Sequence, residues 1–260
     1  MATAKLLING ESGVGKTALL ASLGKETFVI SRDSKKFTLP IPHMLVDTYY
    51  DMTTLLFGNT ITEEDGTEVH IEGVVDKLER YNEKFGEYPD NVVIDTVSQI
   101  VMDIIDSAAE IPTAWGEQGA FITKEIAMLT KFIHEYLEMN GMTVILLNHV
   151  IPEKIDGKLT GSYMQFGQGK FLSKGGFFGT VDESILIKEE GSSRVVYTRG
   201  TGKIARTLMS IEEVPTKMYV KNIVEPDKSK KLKEGESYFN LKEYLDLIKS
   251  KDLSAEKWAI

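Results

Sequence analysis

Eight residues near the start of the chain have the types and spacing to hold a polyphosphate. Gly10-Glu11-Ser12-Gly13-Val14-Gly15-Lys16-Thr17 fits G-x-x-x-x-G-K-[ST] at every fixed position. Glycines at 10, 13 and 15 let backbone N–H groups turn inward around phosphate oxygens. Lys16 brings the cation for β- and γ-phosphates, and the Thr17 hydroxyl is a ligand for Mg²⁺. Ala18 continues into a segment of helical composition, Thr17 to Leu23, whose N-terminal N–H groups would add to the cradle. ATP with Mg²⁺ is the expected ligand of the residues from Gly10 to Ala18.

Two further polar positions close apolar runs. Asp95 ends Asn91-Val92-Val93-Ile94, 78 residues after Thr17. A carboxylate there can hold Mg²⁺, and the bland alternative is an Asp capping the helix expected from about residue 97. Asn148 and His149 end Thr143–Leu147; His149 is a candidate γ-phosphate sensor or a satisfied structural histidine. Hydrolysis needs a carboxylate to orient water. Asp33, just past the second strand, is best placed, with Glu11 and Asp47 as rivals and a surface turn as the alternative for Asp33.

These residues need a scaffold, and the hydropathy pattern describes one. Lys5–Asn9, Thr27–Ser31, His43–Asp47, Asn91–Asp95 and Thr143–His149 are short apolar runs, separated by helical patterns over 72–85, 98–110 and 119–139. Ile122, Ile126, Leu129, Ile133 and Leu137 form one stripe on the last of these. Strands alternating with helices predict βαβ units and a mostly parallel sheet, an α/β fold. Beyond residue 150 the character changes. Residues 150–180 hold seven glycines among aromatics and lysines, and read as a loop. Asp182–Lys188 and Ser193–Thr198 predict an antiparallel hairpin, Lys217–Lys221 a further strand, and 240–249 a terminal helix.

Composition narrows the classes. With 42% hydrophobic and 27% charged residues the 260-residue chain is globular in type. No run approaches the ~18 apolar residues of a membrane span. The N-terminal residues lead directly into a strand, without a signal-peptide pattern, so a cytoplasmic protein is expected. The absence of cysteine excludes disulfides and thiolate chemistry. A net charge of −9 argues against coating duplex DNA over the whole surface, so any nucleic-acid contact must be local.

The loop Gly10–Thr17, Asp95 on its strand, and Leu147-Asn148-His149 before a glycine-rich segment resemble the RecA-like P-loop ATPase core. Compact phage ATPases of the single-strand-annealing group and related phage nucleotide-binding proteins are the most similar branch. The resemblance spans about residues 1–210, leaving 211–260 as a small C-terminal β/α extension. It implies an ATPase of DNA recombination or replication that assembles as a homo-oligomer in the cytoplasm of the phage's host. It also implies two segments facing single-stranded DNA. One is Ile111–Gly119, with Trp115 and Glu117; the other is 150–176, with Lys158, Tyr163, Phe166, Lys170, Phe171 and Lys174. Aromatics interleaved with lysines suit base stacking and phosphate neutralisation, and also suit a plain mobile lid. Arg199, Lys203 and Arg206 resemble cations that reach a neighbouring subunit's ATP, or form an ordinary basic turn. The readings from other classes are a nucleotide-switched packaging or regulatory protein without DNA contact, and a small-molecule or nucleotide kinase.

Overall fold

The computed structural model describes residues 3–32, 39–111, 116–156, 158–165, 176–200, 204–222 and 229–256. Its centre is β1 (Lys5–Gly10), every residue of which is buried. A strand buried on both faces must be apolar on both, and the pleat then sends alternate side chains to opposite layers. Leu7 joins one core cluster with Phe28, Ile30, Val92, Ile94, Val144 and Leu146. Leu6 and Ile8 join the other, with Val29, Val93, Ile145 and Leu147.

The first layer is closed by α2 (Met52–Phe57), α3 (Val74–Phe85), α4 (Val97–Ala109) and α5 (Glu117–Lys131). A π-helical turn, Phe132–Glu138, prolongs α5, and of the expected stripe Ile126, Leu129, Ile133 and Leu137 are buried while Ile122 is half-buried. The second layer is thinner. It consists of α1 (Lys16–Leu19), the 3₁₀ turn Leu20–Ser22, and the C-terminal helix Leu241–Glu256.

The remaining strands are β2 (Thr27–Ser31), β3 (His43–Leu45), β6 (Asn91–Asp95), β7 (Thr143–Ile155), β9 (Glu183–Glu190), β10 (Ser193–Tyr197) and β11 (Lys217–Tyr219). They run in the order β11-β10-β9-β1-β7-β6-β2-β3. From β9 to β3 every pairing is parallel, whereas β10 and β11 add antiparallel at one edge. This is the α/β architecture with a mostly parallel sheet that the alternating pattern predicts.

Three features depart from the sequence reading. Residues 59–71 form a separate two-stranded hairpin, β4 (Asn59–Thr62) with β5 (Glu68–Ile71). The helix after the phosphate loop is one α turn followed by a 3₁₀ turn, shorter than the composition of Thr17–Leu23 suggests. The segment expected to be a loop is in part a β-arm. β7 continues to Ile155 and β8 (Lys158–Gln165) pairs back along it, from Ile155↔Lys158 to Val150↔Gln165.

The antiparallel edge is tied by charge. Glu190 accepts from Tyr197 Oη and Lys217 Nζ and pairs with Lys188 at 3.1 Å, while Lys188 lies 4.7 Å from the Tyr197 ring centre. Burial alone would raise the Glu190 carboxyl. Hydrogen bonds from Lys217, Tyr197 and Lys188 outweigh it and bring the group from the usual 4.5 down to about 2. A depressed folded-state value stabilises above the unfolded value and loses that stabilisation as pH falls through the folded one. The Glu190→Gln variant should therefore be less stable than the parent near neutral pH. The gap should close between about pH 4.5 and pH 2, read as urea midpoints across that range.

Candidate nucleotide-binding site

The phosphate loop leaves β1 at the centre of the sheet's carboxyl edge, where strand order places polar residues from β6 and β7 beside it. Its backbone path depends on missing side chains. A Cβ on Gly10 would sit 2.8 Å from Ile187 Cγ2, the Ile187 carbonyl oxygen and Val14 Cγ1, so no larger residue fits. Gly15 caps α1 with φ of 95°, a left-handed conformation that L side chains resist.

Lys16 is 5% exposed, and its Nζ donates to the carbonyls of Gly10 at 2.9 Å and Glu11 at 3.0 Å. The ammonium thereby spans the mouth of the loop, one hydrogen-bond exchange away from a phosphate oxygen. Thr17 Oγ1 donates to Asp95 Oδ2 at 2.8 Å. That bond directs the hydroxyl proton to the carboxylate and turns the hydroxyl's lone pairs outward, toward a hard cation. Asp95 is 2% exposed and stands at the end of β6, before α4. The residues that would hold Mg²⁺, Thr17 and Asp95, offer the oxygen donors this ion takes alongside substrate phosphates.

A second set of contacts fixes β7 against β1. Asn148 Nδ2 donates to Asn9 Oδ1 at 2.9 Å, and Asn9 Nδ2 donates to Ser184 Oγ at 2.9 Å and the Ile204 carbonyl at 3.2 Å. Ser184 also donates to that carbonyl at 2.5 Å. The chain of amides and hydroxyls thus crosses from β7 through β1 to β9 and the turn at 204, wholly buried. His149 N donates to Ser98 Oγ at 3.0 Å, which ties the middle of β7 to the first turn of α4. Its side chain is half-buried.

Other expected residues have varied placements. Glu11 and Asp47 are exposed, and the Asp47 carbonyl accepts from Arg32 Nη1 at 3.4 Å. Ser12 and Gly13 are exposed at the loop's crest, and Val14 is packed beneath it. Arg199 donates to the carbonyls of Val214 and Met209, both at 2.6 Å, bracing the 207–214 turn. Arg206 donates to the Val181 carbonyl and pairs backbone to backbone with Ser184. A reach toward a neighbouring subunit would require Arg199 to give up these bonds. Lys158 is exposed at the start of β8, and Tyr163 lies in β8 opposite Pro152. Glu117 is exposed and opens α5. Asp33, Trp115, Phe166, Lys170, Phe171, Lys174 and Lys203 lie outside the described residues.

Asn9, Ser98, Ser184 and Arg194 belong to this neighbourhood and are absent from the sequence reading. Asn9 carried a faint signal, a polar amide inside an otherwise apolar buried run. The others had none, because their partners lie in distant parts of the chain.

No protein-family model matches the chain, and no curated protein matches it. Among solved structures, the RadB recombinase is similar over 83% of this chain and 86% of that chain, with 10% sequence identity and a TM-score of 0.43. A likeness of that degree does not extend to ligands or activity.

The buried amide pair generates a testable expectation. Asn9→Leu strands the Asn148 donor, and Asn148→Leu strands the Asn9 acceptor, each at a cost of about 1–3 kcal/mol. The double variant should cost less than the two single losses together, with a coupling of about 0.5–3 kcal/mol from urea unfolding. Additive losses would mean that the two amides do not interact.

Proposed function

We propose that this chain is a RecA-like ATPase, binding ATP with Mg²⁺ and coupling its hydrolysis to single-stranded DNA in phage recombination or replication. The observation that carries the nucleotide half is the Thr17–Asp95 contact at 2.8 Å beside a loop closed by Lys16. These three side chains come from two segments 78 residues apart and meet at one end of the sheet. A chance glycine turn would have no reason to aim its Thr at a buried carboxylate.

In this reading Lys16 exchanges its two loop carbonyls for phosphate oxygens, and the N–H groups of Gly13–Thr17 hold the remainder of the triphosphate. Thr17 and Asp95 would hold Mg²⁺, which would supply positive charge to the phosphates. Asp95 holds the Thr17 hydroxyl in its orientation, and Asn148, pinned by Asn9, fixes β7 beside the loop. Asp33 is the proposed water-orienting carboxylate, with Glu11 and Asp47 as the alternatives, and His149 the proposed sensor. Arg32 N donates to the Asp95 carbonyl at 2.6 Å, which brings the chain at residue 32 alongside Asp95.

The DNA half rests on the arm. β7 is one strand from its buried parallel half to its projecting antiparallel half, so a shift at Asn148 or His149 is transmitted to residues 150–165. Lys158 at the arm's tip, with Tyr163, Phe166, Lys170, Phe171 and Lys174, is the proposed strand-binding surface, in a homo-oligomer whose Arg199, Lys203 and Arg206 face the next subunit.

Lys16→Ala should lower ATP turnover by about 10²–10³-fold, the range seen when a preorganised donor to developing charge is removed. Asp95→Asn should cut turnover while leaving nucleotide bound, as measured by equilibrium dialysis. Fluorescence anisotropy on a single-stranded oligonucleotide, with a non-hydrolysable ATP analogue, tests the arm. Lys158→Ala should reduce the log–log salt slope by about 0.7. Undetectable strand binding by a folded, ATP-competent protein at low salt would favour the DNA-independent nucleotide switch, which the net charge of −9 also suits.

A further inference from the structure

A groove of about 920 Å³ lies beside the phosphate loop on the side away from Asp95. It is bounded by the outer face of α1 and its 3₁₀ turn, by the tip of the β9–β10 hairpin, and by residues 220–222, 229–230 and 238–243. Its size lies within the range of small-molecule sites, about 300–1,000 Å³. Leu19 and Leu241 give it apolar wall, and Ser193, Asn222 and Asn240 give it uncharged hydrogen-bonding groups. Glu189, Arg194, Lys221, Lys230 and Glu243 bring both signs of charge to it. Apolar wall beside hydrogen-bonding groups suits a flat heterocycle joined to a sugar.

Strand order says how the groove relates to the phosphates. β1 is followed by β7 and then β6 in one direction, and by β9 and then β10 in the other. Asp95 stands at the end of β6, and Arg194 stands on β10, opposite Glu189 of β9. The loop therefore has the metal-orienting carboxylate two strands to one side and Arg194 two strands to the other. Arg194 reaches the loop itself: its Nη1 lies 2.9 Å, and its Cζ 3.3 Å, from where a Cβ on Gly15 would be. Its ionic partner, Glu189, is distant at 3.8 Å, and the side chain is 46% exposed. A guanidinium plane with such loose pairing can stack on an aromatic ring.

We propose that this groove is the nucleoside subsite, that Arg194 covers the base, and that the C-terminal extension supplies the outer wall. The inference rests on nucleotide binding at the Gly10–Thr17 loop. A triphosphate whose γ end lies toward Thr17 and Asp95 has its α end toward Gly15 and Ala18, where the groove begins. The extension is then part of the ligand site, joined to the sheet through β11.

Isothermal titration of the intact protein with Mg²⁺–ATP and with Mg²⁺–tripolyphosphate separates the two ends of the ligand. Lys16→Ala should weaken both. Arg194→Ala should weaken ATP by about tenfold and tripolyphosphate by clearly less, since the guanidinium stands beside the loop as well as over the groove. Ala21→Phe, which places a ring in the groove from an exposed position, should do the same. Unchanged ATP affinity in both groove variants would overturn the assignment, as would an equal loss of ATP and tripolyphosphate in Arg194→Ala. Failure of the parent protein to bind either ligand would instead remove the nucleotide reading itself. A thermal melt of each variant confirms that the fold is intact, which the exposure of both side chains favours.

Discussion

A hydroxyl and a carboxylate 78 residues apart can meet at 2.8 Å only if β1 and β6 are held at one fixed offset. That offset is imposed by β7, which pairs with both strands, Gly10 opposite His149 on one side and Asp95 opposite Leu147 on the other, so that β1 runs two residues beyond β6. A slip of one residue in either pairing would reverse every side chain on the displaced strand. Leu7 and Leu146 would exchange layers with Leu6 and Leu147, and two helical layers would lose their complement. Burial of the sheet on both faces thus sets the register, and the register sets the chemistry of the edge. Asn9 and Asn148 add a directional check, since their amides meet only in this pairing.

The parts legible in the sequence were those with dense local signals. The phosphate loop is continuous, so eight residues identify it. β6 and the second half of α5 repeat apolar residues at the period of their own geometry, and so does α4. What escaped was either short or long-range. α2 and the β4–β5 hairpin, residues 52–71, are elements of four to six residues with little room for a period. The arm from Val150 to Gln165 carries Pro152, Glu153, Lys154 and Asp156 and lacks the apolar alternation of a half-buried strand. Beyond Val150 its pairing is with itself rather than with the neighbouring strands of the sheet. Ser184, Ser98 and Arg194 are ordinary residues in sequence and become part of the site through partners in other elements.

The two edges of the sheet differ in kind. Toward β3 the pairing stays parallel and the layers are covered by four helices. Toward β11 the strands turn antiparallel, and the covering is done by the C-terminal helix on one face and by paired lysines, tyrosines and Glu190 on the other. Tyr244 of that helix donates to the buried Glu183, and burial, with Glu183 close by, pushes its phenol well above the usual value. Through this bond the C-terminal helix is attached to β9, the strand that flanks β1.

The continuity of β7 separates length from alignment. Its first half is locked by neighbours on both sides, whereas beyond Val150 it is paired only with β8. Residues added in equal number to both sides of the tip near Asp156 would extend the arm by about 3.3 Å per pair without moving Asn148. Residues added before Val150 would turn the pleat and misplace the amide. The antiparallel half can therefore be retuned in span, while the anchored half holds the carboxyl edge of the sheet constant.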